Sequence, residues 1–303
     1  MPPSAPRDTR ADPVAAVLWV TAAMLLFGGL AAFARATMNE GLHPFVVVFL
    51  RNVFAVGLLL PLLAWRGVSL VQSAQIGLYG FRILVSFLSM LAWFYAISRI
   101  PIGEVTAISF LAPLFGTLGA IVLLGEKVRL RRWLALAVGF AGAMIILRPG
   151  ASPLGVGQIC AVLAAILTGL TVVLIKQLTW RDDPDKIVFL TNLGLMPLSF
   201  IPAILVWSWP TVAVLPSLLG MGFCAVLGHV ALVRGYAKTD ASLAQTFEFS
   251  RLPFTVAIGY AAFGETIDVW TWVGALIIFA SAIYITRREA QMKKKTTGGP
   301  NAF

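Results

Sequence analysis

The stretch QTFEFSRLPF at residues 245–254 sets a carboxylate, a guanidinium and a proline inside an otherwise apolar run. On a helix, Gln245, Glu248, Arg251 and Thr255 fall on one side, because residues three and four apart are neighbours. Counting ~1.5 Å per residue from about Ala241, Arg251 lies ~15 Å deep. A charge at that depth in hydrocarbon costs at least ~2.5–3.5 kcal/mol unless it faces protein or water. Two readings follow: the stripe lines a watery cavity that binds a polar solute, or Glu248 and Arg251 form an internal ion pair that holds helices together. Pro253 has no N–H to donate and leaves the Phe249 carbonyl free; Pro113 does the same for Ser109.

Other intramembrane polar residues extend the candidate site. Arg82, Ser86, Ser89 and Trp93 are spaced i, i+4, i+7 and i+11, one face of a helix. Arg51, Arg82 and Arg251 have the chemistry to bind a carboxylate or phosphate through charge-assisted hydrogen bonds. Trp93 and Phe110 offer flat faces for a ring. Glu248 could carry a coupling proton if desolvation raises its pKa, and His229 could relay one or simply hydrogen-bond across helices. Plain alternatives stand beside these: Arg51 and Arg234 snorkel to a membrane edge, and Glu104, Glu126 and Glu265 cap helix starts.

The elements that must position these residues are membrane helices. The chain has 303 residues, 59% hydrophobic and only 12% charged, about half the charge of a soluble domain. Apolar runs of helix-spanning length recur along it. They predict ten helices near 14–34, 44–63, 75–98, 104–124, 133–147, 154–175, 187–207, 215–236, 242–263 and 269–285. Ala34–Ala36 loosely resembles a signal-peptidase site, but the preceding run is long and further spans follow, so it belongs to the first span.

With the N-terminus in the cytoplasm, the inward segments hold sixteen Lys and Arg, the outward loops three and the spans four, accounting for all 23. That bias predicts an inner-membrane protein with both termini cytoplasmic. It also explains the net charge of +10 without nucleic acid. The tail RREAQMKKKTTGGPNAF reads as a disordered basic strip beside anionic headgroups or a plain stop-transfer flank.

The chain repeats itself. PFVVVFLRN at 44–52 returns as PDKIVFLTN at 184–192, an offset of 140. Gly125-Glu126, Trp133 and Arg148 return as Gly264-Glu265, Trp272 and Arg287, an offset of 139. Pro113 answers Pro253, and Tyr95-Ala96 answers Tyr236-Ala237. Each repeat holds five helices, so the second enters the membrane from the opposite side. The loops agree: GEKVRLRRW is basic and GETIDVWTW is not. Inverted repeats are an architecture of alternating-access transporters, with the solute at the repeat interface near the midplane. Gly139 and Gly142 in helix five and Gly274 and Ser281 in helix ten suit close packing, within the chain or between two copies in a homodimer.

No P-loop, dinucleotide fingerprint or metal-ligand cluster is present, and no nucleophile–base motif. The sequence therefore predicts no enzyme, no catalytic residue, no cofactor and no metal; its partners are a small-molecule solute and lipid. A non-transporting membrane scaffold or sensor subunit is the alternative from another class.

The run AISRIPIGEVTAISFLAPLFGTLGAIVLLGEKVRLRRWLALAVGFAGAMIILRPG resembles the EamA repeat of the drug/metabolite transporter superfamily, as does GYAKTDASLAQTFEFSRLPFTVAIGYAAFGETIDVWTWVGALIIFASAIYITRRE. LHPFVVVFLRN, FRILVSFLSM and Asp240-Ala241 look like the branch of S-adenosylmethionine and riboflavin carriers, more than the amino-acid exporter branch. FEFSRLPF departs from the characterised members at Arg251. The resemblance implies ten helices with both ends cytoplasmic. It also implies a cavity lined largely by helices one, three, four, six, eight and nine, and transport by exchange or gradient coupling. The expected organisation is a cytoplasmic tail at 1–13, repeats at 14–148 and 154–287, and a basic tail at 288–303. The expected activity is secondary transport of a small polar metabolite that is amino-acid-like, flavin or S-adenosylmethionine-like.

Overall fold

A computed structural model describes residues 13–67, 73, 75–124, 130–148, 154–178, 182, 184–236, 248 and 250–297. The described residues are helical apart from turns. The helices are α1 (Pro13–Asn39), α2 (Pro44–Arg66), α3 (Ile76–Arg99), α4 (Ile102–Ser109), α5 (Ala112–Leu124), α6 (Leu130–Leu147), α7 (Val156–Leu178), α8 (Pro184–Leu205), α9 (Leu215–Tyr236), α10 (Arg251–Phe263) and α11 (Val269–Thr297). Pro13, Pro44 and Pro184 each open a helix, where a missing N–H costs nothing and the ring pre-sets φ.

Six helical stretches are long and apolar enough to cross a membrane: Val14–Asn39, Ile76–Arg99, Ile102–Gly119, Val156–Ile175, Lys186–Leu205 and Val212–Leu232. Pro44–Leu58, Trp133–Leu147 and Val269–Ser281 are shorter apolar helices. Leu18, Val122, Ile201, Phe223 and Leu276 turn apolar side chains outward, a surface suited to lipid. The chain is an all-α polytopic membrane protein.

The helix pairing follows the internal repeat. α1 packs on α9 and α3 on α7; α5 lies against α7 and α10 against α1; α2 meets α8, α6 meets α11 and α4 meets α10. Exchanging the two halves turns each pairing into itself or into another member of the set. Glycines set the closest approaches. A Cβ on Gly169 would lie 2.6 Å from the Gly116 amide nitrogen, and one on Gly142 would lie 2.8 Å from the Gly274 carbonyl oxygen. The Ser281 hydroxyl donates to the Ala135 carbonyl across the same α6–α11 seam. The small residues of helices five and ten thus pack against one another within the chain.

Besides shifts at other ends, such as α1 running to Asn39 past the expected 34, the elements depart from the expected limits at three places. The expected helix 104–124 is two helices, broken at Phe110 and Leu111, where the N–H groups of both residues reach back only three residues, to Ala107 and Ile108. The second departure is α6, which starts three residues before the expected 133. Finally, α11 continues through Arg287 to Thr297, where the sequence suggested a disordered strip. Arg, Glu, Ala, Gln, Met and Lys are strong helix formers. Of the expected helix 242–263, residues 242–247 and 249 lie outside the described residues.

Candidate functional site

Gly28 brings α1 and α10 together, since a Cβ there would meet Ile258 at 3.3 Å and the Thr255 backbone nitrogen at 3.5 Å. That approach sets Arg251, the first residue of α10, against α1. Its guanidinium carbon lies 5.8 Å from the Phe27 ring and 5.8 Å from the Trp93 ring of α3. Both distances fall within cation–π range. The Arg251 Nε is buried with no hydrogen-bond partner. One turn on, the buried Thr255 hydroxyl donates to the Arg251 carbonyl at 2.7 Å.

On α9, the His229 ring meets Phe27 edge-on, with centroids 5.1 Å apart. His229 Nδ1 donates to the Ala225 carbonyl at 2.7 Å, four residues back in its own helix. Its ring lies within electrostatic reach of Arg51 and Arg251. Arg51, on α2, is half-buried; its Nη1 donates to Asn52 Oδ1 at 3.1 Å and lies 3.7 Å from the Met90 sulfur. Asn52 in turn donates to Ser199 of α8 at 3.1 Å. Glu248 is half-buried and within electrostatic reach of Arg251.

The structure thus gathers Arg51, Trp93, His229, Glu248 and Arg251 and adds Phe27, which the sequence reading missed. A phenylalanine in an apolar run carries no signal of its own. Gln245 lies outside the described residues. Arg82 and Ser86 sit elsewhere on α3. Arg82 is 6% exposed and donates to the Ile187 carbonyl of α8 at 3.3 Å. Ser86 meets Thr171 of α7 at 3.5 Å, and Ser89 bonds Ala164 and Thr168. Phe110 is half-buried at the α4–α5 break beside a core of Ile108, Leu111 and Leu114. Pro113 follows that break by two residues; Pro253 stands two residues inside α10.

A second cluster closes the end of the bundle where α3 passes into α4. Arg35 of α1 donates to the carbonyls of Ile97 and Ile100 and forms an ion pair with Glu265, with Nε to Oε1 at 2.8 Å. The other Glu265 oxygen accepts the Ile102 N–H at 2.8 Å, capping the N-terminus of α4 with negative charge. Glu265 itself is placed by Gly264, whose φ of 66° ends α10. At the same end, Gln158 donates to Glu104 at 2.9 Å, and Arg148 pairs with Asp268 on the surface. His43, in the α1–α2 turn, is held below its usual pKa by burial and by the Arg99 charge.

At the opposite end, burial alone would raise Asp182. Hydrogen bonds from Ser73, Lys186 and Gln75 outweigh it and hold the carboxyl below its ordinary value. No group of three or more metal-ligating side chains occurs among the described residues.

Comparison with known proteins fits this geometry. The model of the EamA-like transporter family matches residues 14–148 and 155–287. The chain is 31% identical over 289 residues to a riboflavin transporter of Vibrio cholerae, covering 93% of this chain and 96% of the relative. It is 28% identical to an S-adenosylmethionine uptake transporter of Rickettsia bellii, covering 85% and 89%. A solved crystal structure shares the fold alone, with a TM-score of 0.64 at 19% identity over 92% of this chain and 99% of that one.

Proposed function

The chain belongs to the EamA-like transporter family, and from that premise we propose that it carries its solute by alternating access between two inverted-topology repeats of five membrane helices. It is a secondary transporter of a small polar metabolite, not an enzyme. Both termini face the cytoplasm in this reading, so the Arg35–Glu265 cluster closes the outer end. The exchange-symmetric helix pairing supports the division into two repeats.

The solute site is the cluster of Phe27, Arg51, Trp93, His229, Glu248 and Arg251. The observation that carries the reading is the Arg251 guanidinium, held between two aromatic rings from two other helices with its Nε unpartnered. Arg82 also has a buried Nε without a partner, but its Nη1 is spent on the Ile187 carbonyl; Arg251 is instead flanked by ring faces that a conjugated solute shares. Ser86 and Phe110 belong to the outer ring of this proposal, and Arg82 braces α3 against α8. Pro113 and Pro253 stand in the first turns of α5 and α10 at matching positions of the two halves, in keeping with the interrupted helices of transporter sites.

Relatives named as riboflavin and S-adenosylmethionine transporters support a solute that is flavin, S-adenosylmethionine-like or amino-acid-like. Counterflow into proteoliposomes loaded with riboflavin, S-adenosylmethionine or amino acids tests the reading, with Arg251→Ala in parallel. Accumulation lost in the variant supports it. Accumulation unchanged in the variant removes Arg251 from the path. No accumulation of any solute by folded protein counts against transport.

A further inference from the structure

We propose that the solute is an organic anion with a planar conjugated part, and that Arg51 and Arg251 select it by charge. This rests on the cluster being the transport site. Among the described residues the cluster holds two guanidinium groups and one carboxylate, Glu248. With His229 neutral, one positive charge is left over. Arg51 is partnered by Asn52 and Met90, both uncharged. Four carboxylates outside the cluster are partnered at the bundle ends: Glu265 with Arg35, Asp268 with Arg148, Glu104 with Gln158 and Asp182 with Lys186. None of these four is placed to neutralise the site.

An unbalanced charge in a low-dielectric interior is costly. A solute bearing one carboxylate or phosphate charge removes that cost as it binds. A cationic solute adds to it. Guanidinium presents planar paired donors that match carboxylate and phosphate oxygens. Phe27 and Trp93 flank the Arg251 charge, so a ring held by those faces has its anionic substituent beside the arginine. The polarizable Met90 sulfur, 3.7 Å from Arg51, suits the edge of an aromatic ring. S-adenosylmethionine carries a sulfonium as well as its amino-acid charges. The site therefore separates this chain in preference from the relative that takes it up.

The test is proteoliposome counterflow with probes that hold the ring constant and vary the charge. One series is nicotinate, nicotinamide and 1-methylnicotinamide; the other is riboflavin 5′-phosphate and riboflavin, with S-adenosylmethionine as the cationic arm. Anions should exceed their neutral partners by roughly tenfold to a hundredfold, the scale of a charge-assisted pair. Arg51→Gln should collapse that ratio toward one, and Arg51→Lys should keep most of it. Size-exclusion and thermal melting establish that both variants fold.

If neutral or cationic members accumulate as well as anions, the charge proposal is overturned while transport stands. If no probe accumulates, and no anion stabilises the protein up to about 10 mM, where binding is nearly negligible, the proposal is overturned as well. In that case counterflow of the broader panel decides whether transport itself fails.

Discussion

Replacing Glu265 with Gln should loosen the outer end of the bundle. The Arg35 and Glu265 side chains are 13% and 12% exposed, so the pair lies between a surface salt bridge, worth up to about 1 kcal/mol, and a buried one, whose disruption costs about 3–5 kcal/mol. Gln keeps an acceptor for the Ile102 N–H and removes only the charge, leaving Arg35 unpaired beside two carbonyls. A cost of about 2 kcal/mol follows, felt only where the outer end is closed. At 1.4 kcal/mol per tenfold, that shifts the closed-to-open ratio by roughly 30-fold. The assay is maleimide labelling of Ala31→Cys from the outer side. Ala31 is fully buried one turn from Arg35, and the native Cys160 and Cys224 are replaced first. The labelling rate should rise by about the same factor. A rate within about twofold of the parent, in protein that elutes and melts normally, would refute the idea that this pair holds the end shut.

Asp268→Asn removes an exposed pair at the same end and should change the melting temperature little, by less than the equivalent of ~1 kcal/mol. Gly142→Leu forces a side chain onto the Gly274 carbonyl and should cost about 1–3 kcal/mol or more, read as lost folded yield. Arg82→Met should alter stability and leave the anion-to-neutral ratio unchanged, measured by the same counterflow series. His43 has a depressed folded pKa, so its contribution is present above its unfolded value near 6.5 and is lost as pH falls from there through the lower folded value. His43→Gln should flatten the fall in melting temperature between pH 7.5 and 5.5, roughly the range over which an unfolded histidine takes up its proton.

Much of the architecture was legible in the residues. Apolar runs marked the helices of membrane-spanning length. Gly142, Gly274 and Ser281 marked a seam the structure places between α6 and α11. The α4–α5 break was foreshadowed by Pro113. What composition could not show was which neighbour a helix face meets at each height. Arg82, Ser86, Ser89 and Trp93 do share a face of α3, yet α8 crosses that face at Arg82, α7 at Ser86 and Ser89, and α1 with α10 at Trp93. A helical wheel has no such axis. The Arg35–Glu265 pair spans 230 residues, and nothing local announces it.

The exchange-symmetric pairing of helices bears on energetics in a further way. Under the proposed inversion, the outward-open shape reuses the contacts of the outward-closed one with the halves' roles traded. To first order the two shapes are then isoenergetic, whatever the strength of any shared contact. The resting preference between them resides in positions where the halves differ. Arg148 and Asp268 form an ion pair at one end, while the positions 139 away, Arg287 and Arg129, are both cationic. Arg51 has Thr191 as its counterpart, and that hydroxyl is spent on the Ile187 carbonyl at 2.6 Å. Directional bias in this carrier is a property of its broken symmetry, and substitutions that restore the match should drive the two resting populations toward equality.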